Sequence, residues 1–356
     1  MKIAYLGQMA DVSCENGISK KIRAQTAEWL RLGHEVHYFG LEATAGVWGG
    51  LAPLPVQVRV RGGVGQRILQ SRRLAQDIRV WRPDVIYFRY AYHSAGLPEL
   101  FRQVPAVAEI NSDDLAEYPL TLSWPKLVYH RLTRARILSS TTALVCVTHE
   151  LATRLATFAK PTEVIANGID LENKPHVSPA PAARPRLIFV GSPGSPWHGL
   201  ERVNELAGLL PDVEFDVVGC DVLPTPPPTN VHFHGVLTRE RYEPLLHAAT
   251  AAIGTMALYR KRMDEACPLK VREYLAAGLP VIAAYHDTDV PADADYFLRL
   301  PNGPGSLAPE RERITAWLAR WRDRRVDRAA VAHLDTRVKE RQRLAFLARI
   351  AGGATP

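Results

Sequence analysis

Two glutamates that lie eight residues apart, Glu265 and Glu273, flank the segment of the chain best suited to chemistry. Pro268 is typical of the first turn of a helix, because the N–H that proline lacks would be unpaired there. Gly278 and Pro280 predict the end of that helix. We therefore expect Glu265 in the loop before the helix and Glu273 on its second turn. Unpaired N–H groups at the helix start form an anion site, so the segment suits a ligand with hydroxyls at both ends and phosphates between them.

The plain alternative for this segment is an amphipathic helix with solvated charges. The apolar run 281–285 follows the helix directly and predicts a strand, which favours a helix packed on a sheet. Ligands of parallel sheets bind beyond the carboxyl ends of the strands. We therefore expect the segment at the ligand-binding edge of a sheet, with Lys270 between the two carboxylates.

Two glycine-containing loops precede predicted helices elsewhere in the chain. Residues 191–199 are mostly Gly, Ser and Pro, and they include Ser192 and His198. This composition suits a backbone-lined phosphate cradle, and it also makes an ordinary loop. Gly17 begins another predicted helix, where a missing side chain lets a ligand approach backbone N–H groups; a simple turn glycine is the alternative.

Polar residues also follow an apolar strand in the first half of the chain. Glu109, Asn111 and Asp113 lie at the end of the run 106–110. Because the carboxyl ends of parallel strands form the ligand-binding edge, we expect these side chains there. The pattern is not specific by itself.

Alternating strands and helices must position all of these residues. Apolar runs predict strands at 3–7, 36–41, 56–60, 85–90, 106–110, 143–148, 164–166, 187–191, 214–219, 231–235, 251–256 and 281–285. Helical patterns occur at 17–32, 65–82, 94–103, 124–141, 149–159, 199–210, 238–249, 268–277, 310–322 and 329–350. This alternation predicts an α/β protein with parallel sheets covered on both faces. A proline-rich linker at 173–186 suggests two domains, 1–172 and 180–334, which we expect to face each other across a cleft.

Bulk composition limits the class of protein. A chain of 356 residues is long enough for two domains, each with a core. No apolar run approaches the roughly 20 residues of a membrane span, and the N-terminus predicts a short strand rather than a signal peptide. The four cysteines are scattered, which indicates a reducing cytosol. His232 and His234 share a strand face without a third ligand, so we predict no metal site.

The net charge of +7 raises the question of an anionic partner. Basic residues are frequent between Arg59 and Arg82 and again in 311–349. No nucleic-acid motif is present, and the basic helices lack interleaved aromatic residues, so we predict no nucleic-acid binding. A solvated basic face is the plain interpretation. Contact with anionic lipid or an anionic acceptor is the alternative, which would place a cytoplasmic protein at the inner face of the membrane.

Taken together, these motifs resemble the retaining glycosyltransferases of family 4, which have the GT-B fold. The resemblance rests on Asn16-Gly17-Ile18-Ser19, the run 164–170, Phe189-Val190-Gly191, and the glutamate pair ahead of Ala277-Gly278-Leu279-Pro280. It covers most of the chain, and the glutamate pair is its most specific part. It implies two Rossmann-like domains, with a C-terminal helix at about 335–356 returning to the first.

The same resemblance implies an activity. A sugar would pass from a UDP- or GDP-linked donor to an acceptor hydroxyl with retention of configuration. The attack would come from the front face, with no protein nucleophile, no cofactor and no required metal. The first domain would bind the acceptor and the second the nucleotide sugar.

The resemblance also implies roles for single residues. Glu265 would contact donor-sugar hydroxyls near the reacting carbon, and Glu273 would hold the ribose. Glu265, Lys270 and Asn111 would form the catalytic set, and Glu109 and Asp113 would lie on the acceptor side. The remaining donor contacts would be Gly17, Ile18, Ser192, His198, Val236, Arg260, Lys261, Cys267, Pro268 and Leu269.

Two departures from the family pattern matter. Relatives usually carry an arginine and then a Lys-Gly in the loop that here contains Ser192 and His198. A diphosphate leaving group needs its charge neutralised, so we expect Lys270, with Arg260 or Lys261, to supply the cations. Asn111 stands where many relatives have a histidine; an amide can position a hydroxyl but cannot act as an acid or base.

Other functions remain open at this point. A GT-B sugar-nucleotide epimerase would convert the donor without an acceptor, and a non-catalytic binding protein would bind the donor without turnover. A Rossmann dehydrogenase is disfavoured because the G-x-G-x-x-G fingerprint is absent. The sequence leaves the nucleotide, sugar, acceptor, linkage and oligomeric state open. The segment 44–72 is expected to shape the choice of acceptor.

Overall fold

The computed structural model describes residues 1–8, 17–42, 54–60, 62–178, 184–220 and 226–353. They form two compact domains, one of Met1–Ala166 with Thr336–Pro356 and one of Asn167–Asp335. Asn16, most of the first half of the segment 44–72, and Pro179 and Pro181 of the predicted linker lie outside the described residues.

The first domain is built on a seven-stranded parallel sheet. Its strands are β1 (Lys2–Gly7), β2 (Glu35–Glu42), β3 (Val56–Val60), β4 (Val85–Arg89), β5 (Ala106–Ile110), β6 (Ala143–Cys146) and β7 (Thr162–Val164). They lie in the order β3-β2-β1-β4-β5-β6-β7, and every pair is parallel. The helices are α1 (Gly17–Arg31), α2 (Val64–Trp81), α3 (Leu97–Phe101), α4 (Asp114–Thr121), α5 (Trp124–Ser140) and α6 (His149–Leu155). β5 and β6 are buried along their whole length, as expected of a sheet covered on both faces.

Helix α4 is the main element that the sequence pattern did not predict. It contains Pro119, and apart from Asp114 its side chains are at most half-buried, so it lacks a clear apolar stripe. The helix begins because the carboxylate of Asp113 accepts the backbone N–H groups of Leu115 and Ala116, at 2.9 and 3.3 Å. An N-cap of this kind stabilises a helix by about 1 kcal/mol.

The second domain has a six-stranded parallel sheet and a small two-stranded one. Its strands are β8 (Arg186–Val190), β9 (Glu214–Val218), β10 (Val231–Phe233), β11 (Ala251–Ile253), β12 (Glu265–Ala266), β13 (Val281–Ala283), β14 (His286–Asp287) and β15 (Phe297–Arg299). The larger sheet has the order β10-β9-β8-β11-β13-β15, and β12 pairs with β14 beside it. The helices are α7 (Leu200–Leu209), α8 (Arg239–Ala248), α9 (Leu269–Ala276) and α10 (Arg311–Trp321). Two Rossmann-like parallel-sheet domains therefore confirm the predicted fold class.

The C-terminal helix α11 (Thr336–Ala351) packs on the first domain, as predicted. Leu344, Phe346 and Leu347 join the hydrophobic core of that domain. The indole N–H of Trp29 donates to the carboxylate of Glu340 at 2.8 Å. The prediction of one continuous helix over 329–350 is wrong, because a 3-10 helix ends at Leu334 and Asp335 is extended before α11 begins.

The chain enters the second domain at Asn167, whereas we had assigned residues up to 172 to the first. The backbone N–H of Ile169 donates to the carbonyl of Leu334 at 2.9 Å, and that of Leu171 donates to the carboxylate of Asp335 at 3.3 Å. These bonds join the start of the second domain, after β7, to the residues directly before α11.

Candidate functional site

Helix α9 has the boundaries that its sequence predicts. Pro268 is its N-cap residue, with extended backbone angles. Gly278 has φ +84°, and its N–H donates to the carbonyl of Leu275, while that of Leu279 donates to the carbonyl of Tyr274. This pair of bonds is the Schellman ending of a helix, for which glycine is the favoured residue. Glu265 and Glu273 therefore stand before and within a well-defined helix.

Glu265 lies on β12 and is held through that strand's partner. β12 pairs with β14, so Glu265 lies opposite His286. The neighbouring Asp287 accepts two hydrogen bonds from Arg272 of α9, at 2.8 and 2.7 Å, and both side chains are fully buried. Breaking a buried ion pair of this kind typically costs about 3–5 kcal/mol. Arg272 thus ties α9 to the strand pair that carries Glu265.

Glu273 is partly exposed beside three polar side chains. The hydroxyl of Tyr242 donates to its carboxylate at 3.2 Å. The charged groups of Arg239 and Lys174 lie 3.7 and 3.9 Å away. All four residues line one pocket, together with His247 and neighbouring side chains. A carboxylate in this setting keeps acceptor positions for ligand hydroxyl groups.

Lys270 projects from the first turn of α9 into an apolar setting. Its Nζ lies 4.3 Å from the centroid of the Phe189 ring and is buried, and among the described residues it has no hydrogen-bond partner. Burial lowers the pKa of Lys270 to about 7, against a smaller opposing effect of Cys220. A buried ammonium that no described side chain neutralises is suited to binding an anion.

His198 shares the Phe189 ring with Lys270. Its imidazole lies edge-on to that ring, with the centroids 6.1 Å apart. Its Nδ1 accepts the backbone N–H of Ser192 at 3.2 Å, which leaves the proton of the neutral ring on Nε2. Burial and then the charges of Lys270 and Lys261 lower the pKa of His198 to about 2. The imidazole is therefore a neutral donor at every physiological pH.

The two further cations expected at this site differ in their surroundings. The Nζ of Lys261 is buried, 4.6 Å from the centroid of the Trp197 ring. Arg260 instead pairs with Glu201 at 2.8 Å and donates to the carbonyl of Pro196 at 2.6 Å. The charge of Arg260 is therefore already offset by Glu201.

Tight backbone packing shapes the loop before His198. A Cβ on Gly191 would lie 2.2 Å from the Sγ of Cys220, and one on Gly219 would lie 2.4 Å from the carbonyl oxygen of Gly191. Gly219 also has φ +77°, which favours glycine. The ends of β8 and β9 therefore approach each other closely at the point where the loop begins.

Four further predicted donor contacts lie in the same domain. Cys267 is buried, and its carbonyl accepts the side-chain amide of Asn167 at 2.8 Å. Pro268 and Leu269 are half-buried at the start of α9. Val236, which follows β10, is 75% exposed. An exposed valine can cover one face of a flat ligand ring.

In the first domain, Glu109 is the centre of a buried charge network. Its carboxylate is fully buried and accepts from Tyr87 at 2.7 Å, with Lys21 at 2.9 Å and Arg89 at 3.2 Å. Arg343 of α11 lies 3.7 Å away. This burial argues against a direct acceptor contact for Glu109, which we had expected on the acceptor side.

Charges inside the network control its pKa values. Burial alone would raise the pKa of Glu109, but Lys21, Arg343 and Arg89 outweigh it and hold the pKa well below 4.5. Burial lowers the pKa of Lys21 to about 8, against the attraction of Glu109. Among the described residues, the network holds the three cations Lys21, Arg89 and Arg343 and the two carboxylates of Glu109 and Glu340.

Asn111 is fixed by the same network. Its side-chain oxygen accepts from the Nζ of Lys21 at 2.8 Å, and its amide nitrogen donates to Glu109 at 3.1 Å. Asp113, besides capping α4, forms an ion pair with Arg154. Gly17 is the exposed first residue of α1, and Ile18 packs against the core. Glu109 and Lys21 therefore orient Asn111 at the end of β5.

Several residues of these sites gave no signal in the sequence. Tyr242 and Arg239 of α8, together with Lys174, meet Glu273 from parts of the chain distant in sequence. From the sequence, Arg272 and Asp287 resemble ordinary solvated charges. Lys21 and Arg89 are brought to Glu109 only by the sheet order. A contact map would be needed to find them.

The described residues offer neither a cluster of metal ligands nor a membrane-spanning helix. Within the described ranges, no group of three or more His, Cys, Asp or Glu side chains could hold a metal ion. No helix in that part of the chain is long and apolar enough to cross a membrane.

Comparison with known proteins gives matches at two levels. Residues 16–173 match the model of Glycosyltransferase Family 4. No curated protein matches the chain by sequence. Solved structures that share the fold include a glycosyltransferase from Rickettsia africae, with TM-score 0.68, 14% identity and 98% of each chain covered. Anabaena HepE in complex with UDP and glucose has TM-score 0.67 and 18% identity, with 98% of this chain and 99% of that chain covered. Sucrose-phosphate synthase from Thermosynechococcus elongatus has TM-score 0.65 and 16% identity, with 99% and 96% covered.

Proposed function

We propose that this GT-B glycosyltransferase, whose residues 16–173 belong to family 4, transfers a sugar from a nucleotide diphosphate sugar to an acceptor hydroxyl with retention of configuration. The donor is UDP- or GDP-linked, and the second domain holds it. One observation carries the proposal. The Lys270 ammonium is buried, with no hydrogen-bond partner among the described residues, on the helix whose second turn carries Glu273, and the strand with Glu265 leads into that helix.

Each part of the donor has a counterpart in this arrangement. The ribose hydroxyls donate to Glu273, and Glu265 accepts hydroxyls of the transferred sugar. The diphosphate lies at the start of α9, where unpaired backbone N–H groups and Lys270 face it. His198 adds a neutral N–H donor, and Lys261 adds a second positive charge. These groups would neutralise the diphosphate in place of the arginine and lysine that relatives carry where this chain has Ser192 and His198.

The chemistry then depends on positioning and charge. Developing charge on the departing diphosphate is stabilised by donors that are already in place. Asn111, held by Lys21 and Glu109, positions an acceptor hydroxyl and exchanges no proton itself. We assign Glu109 and Asp113 to holding Lys21, Asn111 and α4 in place. The acceptor hydroxyl attacks the face from which the diphosphate leaves, and its proton passes to that leaving group.

Two alternatives make different predictions in one experiment. Purified protein is incubated with a panel of UDP- and GDP-sugars, with and without simple sugar acceptors, and products are followed by proton NMR. A transferase gives an acceptor-dependent product with the anomeric configuration of the donor. An epimerase changes the donor sugar with no acceptor present, and a binding protein changes nothing.

The same assay on site variants tests whether the activity depends on the candidate site. Glu265→Gln removes the charge beside the reacting carbon, and we expect turnover to fall by about 100-fold or more. Glu312→Gln, an exposed glutamate on α10 in the same domain, is the matched control and should leave turnover unchanged. Inverted product, or full turnover by the Glu265 variant, would overturn the proposal.

A further inference from the structure

Large apolar side chains are unusually exposed on three helices of the first domain. Nine of the twelve such residues in the described part of the chain lie there, four on α2 and five on α4 and α5. They are Val64, Ile68, Leu69, Val80, Leu115, Leu120, Trp124, Tyr129 and Leu132. Trp124 and Leu132 are 75% and 78% exposed. Single exposed apolar residues are ordinary, but a concentration of them marks an interaction surface.

These helices form one continuous surface, which we call the α2–α5 face. Arg72 of α2 and Arg136 of α5 line the same open pocket of about 390 Å³. The guanidinium of Arg67 lies over the Tyr92 ring, which in turn contacts the ring of Tyr118 on α4. The helices that carry the exposed apolar residues are therefore neighbours in the first domain.

Helices α2 and α5 make this face basic, whereas α4 contributes Asp114 and Glu117 and no basic residue. Helix α2 has four arginines and one aspartate, and α5 has one lysine and three arginines with no acidic residue. The acidic groups nearby are already paired: Asp77 with Arg59, Glu99 with Arg136, and Asp114 with Arg134. Among the described residues, no ion pair involves Arg72, Arg73, Lys126 or Arg131.

Apolar and basic residues lie one turn apart on α2 and α5. Ile68 and Leu69 lie one turn before Arg72, and Leu132 lies one turn before Arg136. Helices that lie in a membrane interface combine apolar side chains that insert below the headgroups with Lys and Arg that meet lipid phosphates. Tryptophan is enriched at the same depth. Neither a solvated face nor a protein-binding groove requires exposed apolar side chains one helical turn from basic ones.

We propose that the α2–α5 face docks this protein on the surface of an anionic phospholipid membrane. Trp124, Leu132 and the apolar residues of α2 enter the headgroup layer, while Arg72, Arg73, Lys126 and Arg131 meet the lipid phosphates. This surface lies in the first domain and involves none of the donor contacts. It therefore stands or falls independently of the proposed reaction.

Vesicle co-sedimentation tests the docking face directly. The full chain is mixed with vesicles of pure phosphatidylcholine or of equimolar phosphatidylcholine and phosphatidylglycerol, at low and high salt. We expect binding to the anionic vesicles only, and weaker binding as salt rises. Trp124→Ser with Leu132→Ser should weaken binding by about tenfold or more. Arg72→Gln with Arg131→Gln should weaken it about fivefold for each arginine removed.

Matched controls distinguish binding through this face from nonspecific vesicle binding and from misfolding of the variants. Val338→Ser changes an exposed apolar residue on α11, and Arg320→Gln changes an exposed arginine on α10; both should bind vesicles like wild type. Melting temperatures of all variants should be unchanged, because the residues are exposed. Wild-type protein that ignores anionic vesicles, or variants that bind as well as wild type, would overturn the proposal. So would light scattering that showed the Trp124 and Leu132 changes dissociating an oligomer of this chain.

Discussion

The Nζ of Lys270 lies 4.3 Å from the centroid of the Phe189 ring and is buried, with no hydrogen-bond partner in the described part of the chain. Contact with an aromatic face recovers only a small part of the hydration that the ammonium loses. In the free protein this position therefore favours the neutral form of Lys270. A bound anion would favour the charged form. This relationship links the stability of the second domain to its proposed ligand.

Replacing Lys270 by methionine should stabilise the protein. Burial lowers the pKa of the folded-state lysine from 10.5 to about 7, so the unfolded chain binds more protons between those values. Stability of the wild type should rise with pH across that window because of this residue, and the penalty should be greatest below pH 7. Lys270→Met removes a cost of several kcal/mol at pH 6. Denaturant unfolding at several pH values measures this, and an unchanged or lower midpoint at pH 6 would contradict it.

His198 should act as a donor that does not titrate. Its pKa of about 2 keeps the ring neutral, and Nδ1 already accepts from Ser192. His198→Leu should weaken binding of a nucleoside diphosphate by about tenfold, since a donor to a charged group is lost. His198→Gln can place an amide N–H near Nε2 and should retain more affinity. Titration calorimetry compares them, and equal affinities for the Leu and Gln variants would rule out the donor role.

Glu273 should contribute to donor binding more than to the chemical step. Glu273→Gln weakens acceptance of ribose hydroxyls, so we expect KM for the donor to rise about tenfold with little change in kcat. Tyr242→Phe removes only the hydrogen bond that orients the carboxylate. Its effect should be smaller and in the same direction. Steady-state kinetics on the identified donor would refute this role if kcat fell while KM stayed constant.

Removing the Glu109 charge should destabilise the first domain. Glu109→Gln leaves Lys21, Arg89 and Arg343 without their shared anion, at a cost of about 3 kcal/mol or more. Glu163→Gln breaks an exposed pair with Arg349 and should cost less than about 1 kcal/mol. Urea unfolding of both variants tests the contrast.

The pH dependence of the same network has a definite sign. The folded-state pKa of Glu109 is held below 4.5, so its stabilising effect is complete above that value and is lost as pH falls below it. Wild-type protein should therefore lose stability below pH 4.5 more steeply than the Glu109→Gln variant. Parallel acid-unfolding curves for the two proteins would contradict this assignment.

The sequence predicted the parallel sheets and helix α9 because their signals are local. Apolar runs of strand length and the Pro268 and Gly278 pair need no knowledge of distant contacts. It missed α4, which depends on the Asp113 cap, and β12, which is only two residues long. The break at Asp335 was also hidden, since residues on both sides favour helix.

The location of the candidate site could be predicted from the sequence. The burial and the partners of its residues could not. The spacing of Glu265, Lys270 and Glu273 placed them on one segment, because residues close in sequence lie at fixed positions along a helix. Burial of Lys270 against Phe189 joins residues 81 positions apart, and the pairing of Arg272 with Asp287 depends on β14. Burial and counter-ions are properties of the folded chain, and they decided which predicted residues are accessible.

Proton uptake on binding of a nucleoside diphosphate tests the central claim most directly. UDP and GDP are titrated into wild type and Lys270→Met at pH 8, in two buffers of different ionisation enthalpy. At that pH the free lysine is mostly neutral, so an anion that charges it must draw a proton from solvent. We predict that one nucleotide binds wild type with uptake approaching one proton, and that Lys270→Met loses the uptake and at least tenfold in affinity. Failure of both nucleotides to bind, or a methionine variant that matches wild type in affinity and proton uptake, would contradict the account.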